Sequence, residues 1–147
     1  MKATNVLKFF LLITTLFYFQ HSNAQNAENW TAKQLMEPAA LAQLITSKKN
    51  VPIIISVGPG AVIPQSISIG PANDKDNLDK LKREVKAMDK KATIVLYCGC
   101  CPFEHCPNVR PAIAALKELN FTNYKLLNIP KNIKTDWISK GYPTVPQ

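Results

Sequence analysis

Outside residues 98–106 this 147-residue chain has no cysteine, and apart from His21 it has no histidine outside that window. The usual zinc layout of two separated ligand pairs is therefore absent. After residue 24 no apolar stretch approaches the roughly 20 residues that a membrane-spanning helix needs. No internal repeat or low-complexity tract appears, which leaves a single globular unit as the reading. Acidic residues are the scarcer charge, 10 against 18 lysines and arginines, for a formal net charge of +8. Most of the lysines fall at 48–49, 75–91 and 125–140, mostly broken by acidic residues and without an aromatic stripe. That pattern argues against a nucleic-acid interface and for a solvated basic surface with a mild attraction for anions.

The first 24 residues have the layout of a secretory signal. Lys2 and Lys8 form a basic start, Phe9 to Phe19 is mostly apolar, and Ser22-Asn23-Ala24 offers small residues for cleavage before Gln25. No cysteine stands at the cleavage point, so a lipid anchor is not expected. The expectation is a signal peptide at 1–24 and a mature domain at 25–147, exported to a periplasm or secreted, with no membrane association after cleavage. The remaining length suits one domain with one core.

Thr31 with Gln34 suggests a capping box, and Leu35, Leu41, Leu44 and Ile45 recur at helical spacing, which predicts a helix over about 32–47 interrupted at Pro38. Val51 to Val57 reads as an interior strand ending at Gly58-Pro59-Gly60, and Ile63, Ile67 and Ile69 suggest a short strand reached through a turn. Leu78, Leu81, Val85 and Met88 give a surface helix with a lysine-rich outer face. Thr93 to Tyr97 is the next strand. Asn108 can cap a helix carrying Val109, Ile113, Leu116 and Leu119, with Pro111 tolerated in its first turn. Tyr124 to Ile129 reads as the last strand and Asp136-Trp137-Ile138 as a short closing helix. Strands alternating with helices argue for an α/β fold with a parallel sheet covered on both faces.

The four cysteines and His105 lie in one segment, Cys98-Gly99-Cys100-Cys101-Pro102-Phe103-Glu104-His105-Cys106, between the apolar run Ile94-Val95-Leu96-Tyr97 and an amphipathic helix. This places them on a loop at the carboxyl end of a buried strand, where α/β proteins keep their chemistry. Packing needs alone would scatter small apolar residues through the core rather than gather them here. Tyr97 and Phe103 read as packing residues, and Trp30 and Trp137 as anchors for the two ends of the domain.

The chain resembles a single rhodanese-like domain. The resemblance is carried, in order, by Trp30-Thr31-Ala32 opening a helix that ends in Leu44-Ile45, the strand Ile53 to Val57, the turn Ile63-Pro64-Gln65-Ser66-Ile67, the segment Ile94 to Cys98, the helix ending Leu116 to Asn123, and Trp137 to Pro143. It implies a central, mostly parallel sheet with helices on both faces. It also implies a sulfurtransferase or persulfide carrier in which Cys98, directly after the central strand, takes a sulfane sulfur from a small donor. The sulfur then passes to a thiol or other thiophilic acceptor, with no cofactor required. The physical basis is independent of the resemblance. A loop curling from a strand into a helix start points several backbone N–H groups inward, and with the helix dipole these favour a thiolate. A more acidic thiol is an available nucleophile near neutrality. Where the family often has an acidic residue and an arginine after its early strand, this chain has Ser56 and Gly58. Its family arginine at the loop end is matched only by Arg110, twelve positions past Cys98, and the paired glycines near the last strand are replaced by Asn128-Ile129-Pro130. Arg110 either folds back toward the loop as an anion partner or decorates the first helical turn.

Other readings of the loop stay open. Cys98 and Cys101 have C-x-x-C spacing, but Pro102 and Pro107 oppose a helix starting in the pair, and too little chain follows Pro143 for the remaining elements of a thioredoxin fold. A dithiol/disulfide pair of Cys98 with Cys101, or of either with Cys106, survives on the present fold, with Cys101 available to discharge a persulfide. Cys98, Cys100, Cys101, His105 and Cys106 also supply soft ligands for Cu(I) or zinc, with Cu(I) favoured outside the cytoplasm. A nine-residue segment, however, has difficulty wrapping a tetrahedral ion without help from a second element. A phosphatase-like reading needs an arginine six residues after its cysteine and finds Glu104, Cys106 or Pro107 instead.

Overall fold

The run Ile94-Val95-Leu96-Tyr97 forms the middle strand of a five-stranded sheet, and all four residues are buried. Burial on both sides follows from the topology. The computed structural model describes residues 30–146, so the expected signal peptide lies outside the described residues. Its strands are β1 (Leu35–Met36), β2 (Ile53–Ser56), β3 (Ile67–Ser68), β4 (Ile94–Tyr97) and β5 (Tyr124–Leu127). They are arranged β1-β5-β4-β2-β3 and all paired in parallel. The helices are α1 (Pro38–Ser47), α2 (Lys75–Val85), α3 (Val109–Glu118) and α4 (Ile133–Asp136), with 3-10 turns at Phe103–His105 and Ile138–Lys140.

The two-residue period of β4 sends its side chains to opposite faces. Ile94 and Leu96 pack with Leu81 and Val85 of α2 and with Ala112, Ile113 and Leu116 of α3. Val95 and Tyr97 join Leu41 and Ile45 of α1 and Trp137 on the other side. The fold is therefore α/β, an all-parallel sheet with helices on both faces, as the rhodanese-like resemblance implies. No helix among the described residues is long and apolar enough to cross a membrane.

The first helix differs from the sequence expectation. The Thr31 N–H and hydroxyl both donate to Gln34 Oε1, at 2.9 and 2.8 Å, but they close a local turn rather than start a helix. The chain is then drawn out as edge strand β1, with Leu126 N–H donating to Gln34 O and Asn128 N–H to Met36 O, each at 2.8 Å. Pro38 opens α1 instead of interrupting a longer helix, because the N–H of a first-turn residue has no acceptor within the helix and its loss costs no helical bond. The expected closing helix is split into α4 and a 3-10 turn, with Trp137 fully buried between them and its indole N–H donating to Pro143 O at 2.7 Å.

The order of strands fixes where the site sits. From β2 the chain runs outward to edge strand β3, crosses back to β4, and then leaves β4 in the other direction toward β5. Neighbouring strands that send the chain opposite ways leave a crevice at their carboxyl ends. Gly58 follows β2 and Cys98 follows β4, so both stand at that crevice.

The Tyr97 hydroxyl ties the loop after β2 to the sheet. It accepts from Val62 N–H at 3.1 Å and Ile63 N–H at 3.3 Å and lies 3.2 Å from the Ser66 hydroxyl. Tyr97→Phe strands these donors and is expected to cost about 1–3 kcal/mol in urea unfolding; an unchanged unfolding midpoint would show that the hydroxyl is dispensable.

Candidate functional site

The nine-residue cysteine segment is shaped by three local devices. Gly99 adopts φ +80°, a left-handed conformation that turns the chain away from β4, and its carbonyl accepts from Ile133 N–H at 2.8 Å. Phe103 N–H donates to Ile129 O at 3.4 Å, and its side chain is buried in the core. The 3-10 turn Phe103–His105 then reverses the chain, with His105 N–H donating to Pro102 O and Cys106 N–H to Phe103 O. The loop is thus fastened to the segment leaving β5, and Cys106 is returned toward Cys98.

All four cysteine sulfurs consequently lie within 4.8 Å of one another. Cys98 Sγ is 3.1 Å from Cys100 Sγ, which is 3.3 Å from Cys101 Sγ. All four thiols are free; Cys98 and Cys106 are buried, Cys101 is half-buried and Cys100 is exposed. Four sulfurs so placed can hold a metal ion. His105, exposed on the 3-10 turn, stands outside the group.

Two residues complete the surroundings of Cys98. Gly58 backs directly onto it: a Cβ there would fall 2.3 Å from Cys98 O and 2.7 Å from Cys98 Sγ. Position 58, where the resemblance would place an arginine, therefore holds the residue whose lack of a side chain lets the ends of β2 and β4 approach. Asn108 is the second. It precedes α3 as expected, yet its side chain makes no cap bond. Instead its Oδ1 accepts from Asn73 N–H at 3.1 Å and its Nδ2 donates to Cys98 Sγ at 3.3 Å, and the residue is buried. The backbone donor at Asn73 fixes which end of the amide faces the sulfur. The sequence marks Asn108 as a helix cap, and no pattern in it announces the sulfur contact.

These contacts draw the Cys98 thiol down to about 5. The thiol of Cys106 contributes most; the amide of Asn108, the Cys100 N–H and the Cys100 thiol add to it, all against the opposing effect of burial. Side chains thus supply most of what several inward backbone amides were expected to supply. The partners move the other way. Loss of solvent and the hydrogen bonds to Cys98 and Cys101 push Cys100 up to about 12, and the bond to Cys98 together with burial raises Cys106. One sulfur is ionised and its neighbours stay protonated as donors, an arrangement suited to nucleophilic thiol chemistry.

Arg110 folds back over the loop, but its guanidinium donates to the Glu104 carbonyl at 3.4 Å and so braces loop backbone. The lysine-rich surface is represented nearby on α2, where Lys75 pairs with Asp79 at 2.6 Å and Lys82 with Glu118 at 2.8 Å.

Neither a family model nor a curated relative matches the chain. Among solved structures, it is similar to the crystal structure of the Alr3790 protein from Anabaena sp., with a TM-score of 0.54 and 14% identity over 75% of this chain and 90% of that chain. At that identity the likeness establishes the shared fold.

Gly58→Ala is expected to cost about 1–3 kcal/mol by forcing β2 and β4 apart at Cys98, read from urea unfolding; a neutral result would contradict the close approach. In the metal-free protein, the rate of Cys98 alkylation should rise with a midpoint near 5 and be flat through neutrality. A midpoint near the ordinary thiol value of about 8.5 would contradict the selective ionisation. The sign for stability follows: a thiol more acidic when folded adds stability at pH above its unfolded value, and that contribution fades as pH falls through about 5.

Proposed function

We propose that this chain is an exported rhodanese-like protein in which the Cys98 thiolate takes up a sulfane sulfur and passes it to a thiophilic acceptor. The observation that carries this reading is the seating of Cys98 Sγ at the crevice between β4 and β2, with the Asn108 amide and the Cys100 thiol directed at it, 3.3 and 3.1 Å away. Export rests on the layout of residues 1–24, and periplasm or exterior are the compartments it implies.

The chemistry balances without a cofactor. The Cys98 thiolate attacks the outer sulfur of a small donor such as thiosulfate; the S–S bond of the donor breaks, a new S–S bond forms to Cys98, and sulfite departs with the electron pair. An acceptor thiolate then attacks the outer sulfur of the persulfide, and Cys98 leaves as the thiolate it was at the start. The thiolate that begins and ends the cycle is held by Asn108 Nδ2 and the thiols of Cys106 and Cys100. The basic surface favours arrival of an anionic donor. Arg110 supports the site by bracing Glu104, and Cys101, in contact with Cys100, supports it as a second thiol able to discharge a persulfide.

Two measurements test the reading: thiosulfate:cyanide sulfurtransferase activity, and mass spectrometry after exposure to thiosulfate. Wild type should turn over and gain one sulfur on Cys98, and Cys98→Ser should lose both. A serine variant that matches wild type in both measurements overturns the proposal.

A further inference from the structure

We infer that the four cysteines also form a closed all-sulfur site for one thiophilic d10 cation, Zn2+ or Cu(I), and that its occupancy shuts off the sulfur chemistry of Cys98. Ion binding stands without the sulfur-handling reading; the mutual exclusion rests on it.

The geometry argues for the ion. A tetrahedral centre with metal–sulfur bonds of about 2.3 Å needs its sulfurs about 3.8 Å apart. The sulfurs of Cys98, Cys100, Cys101 and Cys106 bracket that spacing, with contacts of 3.1 and 3.3 Å and no separation above 4.8 Å. The obstacle seen in the sequence was that one short segment lacks a second arm. The 3-10 turn Phe103–His105 provides it, returning Cys106 against Cys98 so that one loop closes on the site from two sides. The arms are set before any ion arrives, because Gly99 O is bound by Ile133 N–H and Phe103 N–H is bound to Ile129 O.

The donor set selects the ion class. No carboxylate or imidazole belongs to the group, which disfavours calcium and magnesium. Zn2+ and Cu(I) both prefer thiolate and impose no geometry through their d electrons, so they accept what the loop presents. The Asn108 amide on Cys98 Sγ occupies the place of an outer-sphere hydrogen bond to a ligand sulfur. Each thiol that ligates gives its proton to solvent, and no electron is transferred. A Cys98 sulfur bonded to the cation has its nucleophilic electron pair engaged, and it cannot accept a sulfane sulfur at the same time.

The test uses the purified protein, reduced and oxygen-free, in two arms. One arm receives Zn2+ and the other Cu(I) carried by a weak chelator, followed by desalting, elemental analysis and thiol counting by alkylation. The expected result is one ion retained per chain in at least one arm, with all four thiols protected. Cys106→Ser and the exposed Cys100→Ser should each weaken binding by about tenfold or more; the second guards against a folding defect in the first. Loss of the ion on desalting in both arms, more than one ion per chain, or thiols that stay reactive with the ion bound would overturn the site. Loaded and metal-free protein are then exposed to thiosulfate. Sulfur gain on Cys98 confined to the metal-free sample supports exclusion, and equal gain in both overturns it. No gain in either sample, with the ion still bound, instead defeats the sulfur-handling reading and leaves the metal site standing.

Discussion

One negative charge has to be accommodated among four sulfurs that lie within 4.8 Å of one another. Like charges at such range oppose one another, so the Cys98 thiol is pulled down while those of Cys100 and Cys106 are pushed up. Which sulfur is ionised is decided by what faces it. Cys98 alone receives a carboxamide donor that is itself held by backbone, and it also receives the hydrogens of adjoining thiols. Every chemical use open to the loop, whether persulfide, disulfide or metal thiolate, begins from that division of charge.

The fold supplies the division by bringing distant pieces of chain to one point. Cys98 comes from the exit of β4, Gly58 from the exit of β2, Asn73 from the stretch after β3, and Asn108 from the residue before α3. None of these is near another in sequence except through the cysteine loop. Their meeting follows from the strand order, which turns the chain in opposite directions on either side of the crevice. The parallel sheet is buried on both faces and so is stiff where the site needs it to be, while the loop above carries the variable chemistry.

Much of this was legible in the residues. The strongly β-branched runs at 53–56 and 94–97 and the amphipathic periods at 75–85 and 109–118 fix the two interior strands and the helices that cover them. The placement of Cys98 after the central strand follows from those elements. What local pattern could not carry was anything set by tertiary pairing. Leu35 reads with Leu41, Leu44 and Ile45 as one helical set, yet β5 offered an open edge, and the backbone from Gln34 to Met36 took those hydrogen bonds instead. Asn108 illustrates the same limit at the site. A residue suited to capping a helix found a better partner pair in the Asn73 amide and the Cys98 sulfur, and only the folded chain brings them within reach. Gly58 likewise reads as ordinary turn punctuation until the approach of Cys98 is seen.

The order of burial through the cluster has a protective consequence. The sulfur that meets solvent first, Cys100, is the one held as a sluggish neutral thiol, whereas the reactive sulfur of Cys98 is tucked behind it with 6% of its surface exposed. An oxidant reaching the loop meets the neutral, exposed Cys100 thiol before the buried Cys98 sulfur.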